Sequence, residues 1–208
     1  MNFIDIDESC LFQTSRIIIN GKGNSVKISK AALYQSLFIN IKGNNKIIEI
    51  GETSKSIRNL KIVSIRGNKQ KIKIGSELSC GGCEIQMNDG NETLQIDDDC
   101  LFSWGIKMRT SDGHSVVDIE TNRAINLPKN IYVGKHVWIG EDVKILKGGV
   151  IPSNSIVASN SVVTKAFADQ NVIIAGIPAK ISKTGVNWHR EMPIKYNERN
   201  KVDHASTI

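Results

Sequence analysis

The chain is poor in the residues that carry redox and metal chemistry. Its 208 residues include four cysteines and four histidines. Cys80-Gly81-Gly82-Cys83 has the spacing of a redox pair or half a zinc site. No second CxxC and no histidine at ligand spacing completes it, so both read as ordinary thiols at a glycine-rich corner, and no metal is expected. No stretch approaches the ~20 apolar residues of a membrane helix, which excludes a helical span. Residues 1–9 place Asp5, Asp7 and Glu8 where a signal peptide would be basic. The expectation is a cytoplasmic protein with reduced thiols. No linker rich in Pro or Ser divides the chain. Lys and Arg total 27 against 21 Asp and Glu, a net +6 with pI near 9.1. The positive charge is dispersed, which argues against a nucleic-acid arm and suits an anionic small molecule or an acidic polymer.

What the chain does have is a short period. Leu127, Val133, Ile139, Ile145, Ile151, Val157 and Val163 are apolar and six residues apart. Four residues after each stand Ile131, Val137, Val143, Gly149, Ser155, Ser161 and Phe167. No helix has a six-residue period, and strand alternation leaves no single dominant column. A six-residue repeat predicts a hexapeptide β-helix, with three hexads per triangular coil. Eighteen-residue stacking puts Leu127 under Ile145 and Val163, Val133 under Ile151, and Ile139 under Val157. Each coil buries its inner face only on its neighbours.

The N-terminal part is looser. Gly23-Asn24, Gly43-Asn44, Gly67-Asn68 and Gly90-Asn91 recur at about one coil length, as do Ile28, Ile50, Ile74 and Ile96. Gly and Asn tolerate left-handed backbone, so the dipeptide marks one turn per coil. The next turn in the series is Gly113-His114, where histidine replaces asparagine. The expected organisation is all-β: one β-helix over residues 1–183, with irregular coils over 1–126 and regular hexads over 127–183. Residues 184–208 would form a tail, with a short helix docking on the coils and disordered final residues.

Val133-Gly134-Lys135-His136-Val137-Trp138-Ile139-Gly140, Ala158–Lys165 and Ala175-Gly176-Ile177-Pro178-Ala179-Lys180 resemble the hexapeptide-repeat acyltransferases. Ser111-Asp112-Gly113-His114-Ser115 is similar to a motif of bacterial surface-polysaccharide O-acetyltransferases, among them enzymes of capsules such as polysialic acid. The resemblance implies a left-handed parallel β-helix, although parallel crossovers are generally right-handed. It implies acetyl-CoA as cosubstrate, a sugar or polysaccharide acceptor, and a homotrimer with sites between subunits. It makes His114 the base that takes the acceptor's proton and Trp138 the indole beside the acetyl group. A carboxylate, Asp112 or Asp118, would orient the imidazole. Trp138 lies 24 residues from His114. It would meet that histidine through a bulged coil or from a neighbouring subunit.

For the cofactor the resemblance points to Trp138, Ala158, Ala175 and Gly176 as close-approach positions, and to Lys165, Lys180 and Lys183 for the phosphates. Ile177 departs from the family, where Asn commonly precedes the proline. A three-histidine metal site is excluded, because only His114 and His136 fall inside the repeats. The alternatives are an N-acetyltransferase of an amino-sugar nucleotide and a non-catalytic β-helical scaffold. The first commonly carries a preceding nucleotide-binding domain, and no Rossmann glycine signature occurs. The second leaves His114 and the C-terminal motif without a use.

Overall fold

A computed structural model describes residues 1–200. The chain winds as a left-handed β-solenoid of about seven turns, closed by a short C-terminal helix. Each turn lays one strand on each of three faces. On the first face Phe3–Ile6, Ser25–Ile28, Ile47–Ile50, Lys71–Ile74, Thr93–Ile96, Ile131–Val133 and Val150–Ile151 stack in order. The second and third faces stack in the same manner, and neighbouring coils pair parallel. Final coil and tail are linked by an antiparallel hairpin, Val172–Gly176 with Ala179–Thr184.

Alternation along each short strand sends one residue inward, and register turns these into columns. Ile28, Ile50, Ile74, Ile96, Val133 and Ile151 form one column, each at most 3% exposed. Ile39, Ile62, Ile85, Met108, Ile145 and Val163 form another and are 0% exposed. β-Branched residues suit these positions because they fit the pleated, crowded inner surface. The small residues Ser155 and Ser161 of the hexads are buried at corners, and their carbonyls accept from Trp138 and Lys144 N–H. Cys80, Cys83 and Cys100 are buried and free. Burial pushes the Cys80 and Cys100 thiols up to about 12, so they act as core residues.

Two sequence expectations need correction. Leu127 keeps the six-residue phase but is 64% exposed, and the residue beneath Ile145 is Met108. The chain leaves the stack after Ile106–Arg109, makes a corner loop containing the small hairpin Val117–Asp118 with Arg123–Ala124, and rejoins at Ile131–Val133. Lys129 N–H bonds Thr110 O at 3.0 Å and closes the loop's neck. The Gly-Asn series also slips at its start. Gly43 stacks on Gly21 rather than Gly23: a Cβ on Gly21 would lie 2.0 Å from Gly43 O. Gly21 at φ +132 and Gly43 at φ +120 allow the backbones this close approach. Asn24 instead occupies the buried corner position that Lys46, Gln70 and Glu92 fill in later coils.

The tail leaves the solenoid and forms a helix, Pro193–Arg199, none of whose residues is buried. Trp188, before the helix, makes the docking contact at 7% exposure. The expected disorder of the final residues falls outside the described residues.

Removing a buried branched side chain from a solenoid column leaves a cavity between two coils. Ile145→Ala should lower unfolding free energy by about 2–5 kcal/mol, and Leu127→Ala by less than about 1 kcal/mol. Urea denaturation of the two variants measures the difference. Equal losses would place Leu127 back in the core.

Candidate active site

The corner between the third and first faces carries a buried polar ladder. Lys46 is 1% exposed and Glu92 4%. Lys46 Nζ donates to Ser64 O at 2.8 Å, Ser64 Oγ at 2.9 Å and Arg66 O at 2.9 Å. Ser64 Oγ donates to Gln70 Oε1 at 2.6 Å, Gln70 Nε2 to Glu92 Oε2 at 2.8 Å, and Thr110 Oγ1 to Glu92 Oε1 at 3.2 Å. The ladder thus runs from an ammonium to a carboxylate through groups whose polar atoms are paired, as burial requires. It ends at Thr110, the neck of the corner loop.

That loop carries His114. Its imidazole is exposed, at the corner that Gly-Asn turns occupy in earlier coils. It faces a cleft of about 280 Å³ lined by Arg66, Asn88, Asp89, Ser115, Asn126 and Leu127 among others. Asp112 does not hold the imidazole. Its carboxylate accepts from Lys147 Nζ and from Asn126 Nδ2 at 2.7 Å, and those hydrogen bonds keep it below the usual carboxylate range. Asn126 Nδ2 also donates to His114 O at 2.8 Å. Asp112 therefore shapes the loop's backbone rather than the tautomer of the ring. Asp118 is likewise engaged, accepting from Thr121 N–H and Oγ1.

Trp138 projects outward from the second face, 39% exposed, between Leu101 and Ile156. A bulged coil does not bring it over His114. The two residues line separate clefts with no lining residue in common. Trp138 belongs to an apolar cleft of about 630 Å³ between the second face and the tail, with Ile156, Ile173, Val186, Trp188 and Tyr196.

The tail is pinned there by His136. Trp188 stacks on its ring at 4.3 Å and 10°, and Trp188 Nε1 donates to His136 O at 2.9 Å. His136 Nδ1 lies 2.6 Å from Asp99 Oδ2, and Nε2 lies 3.1 Å from Trp188 O. Arg190 reaches Asp99 Oδ1 at 3.1 Å. Burial raises the Asp99 carboxyl, but the hydrogen bonds from His136 and Arg190 outweigh it and hold the group below its ordinary value. With both ring nitrogens engaged, His136 is a structural residue.

The remaining expected ligand positions divide. Ala175, Gly176, Lys180 and Lys183 share the terminal hairpin, and Ala158 N–H joins it through Ile174 O at 2.9 Å. Lys180 and Lys183 are exposed. Lys165 stands apart at the third-to-first corner, its ammonium over the Phe167 ring at 5.5 Å. Arg66 and Asp89 were not singled out by sequence. Their place beside His114 arises from stacking across distant coils, which no local pattern displays.

No protein-family model matches the chain. It is 33% identical to the polysialic acid O-acetyltransferase of Neisseria meningitidis over 133 residues, which cover 64% of this chain and 60% of that protein. Over 130 residues it is 38% identical to the Escherichia coli O1:K1 / APEC polysialic acid O-acetyltransferase, covering 62% of this chain and 41% of that protein. The crystal structure of the polySia-specific acetyltransferase NeuO matches with TM-score 0.59 and 25% identity, covering 96% of this chain and 94% of that one. The chain is a hexapeptide-repeat β-helix related to these polysialic acid O-acetyltransferases. It spans 60% and 41% of the length of the two curated relatives. In the NeuO comparison the likeness takes in the irregular N-terminal coils as well as the regular hexads.

Two variants probe this architecture. Burial lowers the Lys46 ammonium from 10.5 to about 8, against the opposing pull of Glu92. The unfolded chain then binds the extra proton between about pH 8 and 10.5, so stability contributed at Lys46 rises with pH across that window. Wild type minus Lys46→Met unfolding free energy should rise by on the order of 3 kcal/mol from pH 8 to 10.5. A flat difference in parallel denaturant titrations would mean that Lys46 is solvated. The Asp99 carboxylate, held low, contributes stability that is present above pH ~4 and lost as pH falls through its folded value. Asp99→Asn should release the tail at neutral pH, seen as faster proteolysis over residues 186–200 and red-shifted tryptophan emission.

Proposed function

We propose that the chain is an acetyl-CoA-dependent O-acetyltransferase acting on a hydroxyl of a bacterial surface-polysaccharide sugar, of the polysialic acid or O-antigen kind. The observation that carries this reading is the exposed His114 of Ser111-Asp112-Gly113-His114, raised on a corner loop over a polar cleft. The relationship to polysialic acid O-acetyltransferases supports it.

In this reading the imidazole takes the proton of the acceptor hydroxyl as its oxygen attacks the thioester carbonyl. The C–S bond breaks, and the imidazolium returns the proton to the departing thiolate. Acetyl-CoA supplies the activated acetyl group. Ala158, Ala175 and Gly176 offer close backbone approach at the terminal hairpin, and Lys180 and Lys183 offer exposed charge for phosphate. Lys165 lies on another corner, with its ammonium over the Phe167 ring. The Trp138 indole N–H is a hydrogen-bond donor for an oxygen of the acyl or acceptor group.

One chain keeps His114 and Trp138 in separate clefts. A site using both must therefore form between copies, which favours a homotrimer with three shared sites. His114→Asn restores the dipeptide of the earlier corners, so it should fold normally and lose about 10²–10⁴ in acetyl-transfer rate. A wild-type rate would remove His114 from the chemistry. Co-expression with Trp138→Ala tests the shared site. On random mixing, about a quarter of interfaces pair a native His114 with a native Trp138, so activity should return to that fraction. No recovery would place both residues' roles within a single chain.

A further inference from the structure

The cleft beneath His114 holds an arginine with little to do inside the chain. Arg66 Nη1 donates to Gly113 O at 3.3 Å, next to the histidine. Among the described residues no carboxylate pairs with its guanidinium, which offers five N–H donors in a planar fork. The backbone beneath it is fixed: Arg66 O accepts from the buried Lys46 ammonium, and Ile65 N–H bonds Asn88 Oδ1 at 3.2 Å. The side chain thus stands on a rigid corner and is exposed at its tip.

We propose that this cleft is a subsite for a carboxylated sugar and that Arg66 binds the carboxylate. The inference rests on the reading of His114 as the base. Three features point to this ligand. A planar guanidinium matches a carboxylate by two parallel hydrogen bonds, which a neutral sugar cannot return. The volume, about 280 Å³, lies just below the lower limit of small-ligand sites and suits one sugar unit rather than a nucleotide. The rest of the lining sorts by chemistry. Asp89 can accept hydrogen bonds from hydroxyls and repels a second anion, Ser115 can donate or accept, and Leu127 with Pro128 supplies an apolar wall. Arg66 and Asp89 together fix which edge of the sugar carries the acid and which presents hydroxyls. A ring so held offers a hydroxyl within the same cleft as the imidazole.

The test compares oligosialic acid with the same oligomer after reduction of its carboxyl groups to alcohols. For wild type, the acidic oligomer should bind more tightly by calorimetry. Arg66→Gln should weaken that binding on the order of 10- to 100-fold, the worth of a charge-assisted pair, and leave the KM for acetyl-CoA unchanged. It should not alter binding of the reduced oligomer. His114→Asn should keep wild-type affinity for the acidic oligomer, which separates the subsite from the base. Equal binding of the two oligomers by wild type, or unchanged affinity in Arg66→Gln, overturns the inference and leaves the acetyltransferase reading standing. If His114→Asn keeps full activity while Arg66→Gln still loses binding, the subsite stands and the assignment of the base falls.

Discussion

Every coil of this solenoid depends on the backbone hydrogen bonds of the coils above and below. A strand of two to five residues cannot satisfy its own N–H and C=O groups, and each buried one left open costs as much as a lost hydrogen bond. The faces therefore cannot accept insertions without breaking the ladder on both sides. Corners can, because their groups bond locally or to water. The loop that carries His114 obeys this constraint. It leaves at Arg109, returns at Ile131, and is closed by Thr110 and Lys129. Met108 still pairs with Ile145, and Leu94 with Ile131, as though the loop were absent. The excursion adds one wall of a cleft without disturbing the core.

The same constraint explains what the sequence makes legible. Columns that continue through the stack imprint a period, so Val133 over Ile151 and Ile139 over Val157 follow from spacing alone. The long coils also announce themselves, since Ile28, Ile50, Ile74 and Ile96 share one column. The period misleads at Leu127, whose phase fits by coincidence while its backbone is already off the faces. Local pattern also misleads at Asp112. Two residues of separation suggest a partner for His114, yet Lys147 of a later coil and Asn126 of the loop take the carboxylate. Contacts made by stacking carry no local signal, which is why Arg66 beside Gly113 and Asp99 beside Arg190 emerge only in three dimensions.

The buried ladder has a physical role that the corner position makes plain. Lys46 and Glu92 are each too costly to bury alone, and Gln70 with Ser64 connects them so that their polar groups are paired. A hydrophobic corner of equal volume would be no less stable by general experience. What the ladder provides is attachment. Its ammonium grips the carbonyls of Ser64 and Arg66, and its carboxylate grips Thr110. Two walls of the His114 cleft, from coils far apart in sequence, are thereby fixed to one buried network.

The two repeat histidines show how position decides chemistry. His136 sits at a corner inside the stack, in left-handed backbone at φ +54, where a neighbouring coil supplies Asp99 and the tail supplies Trp188. Each ring nitrogen faces an oxygen acceptor, so the ring is held between Asp99 and the tail. His114 has left the stack, and no described residue claims its ring. Its cleft is lined mainly by polar and charged groups, Arg66, Asn88, Asp89, Ser115 and Asn126, beside Leu127 and Pro128. Trp138, on an uninterrupted face, is fixed by the strand pairing of the coils on either side, with one flank covered by the tail.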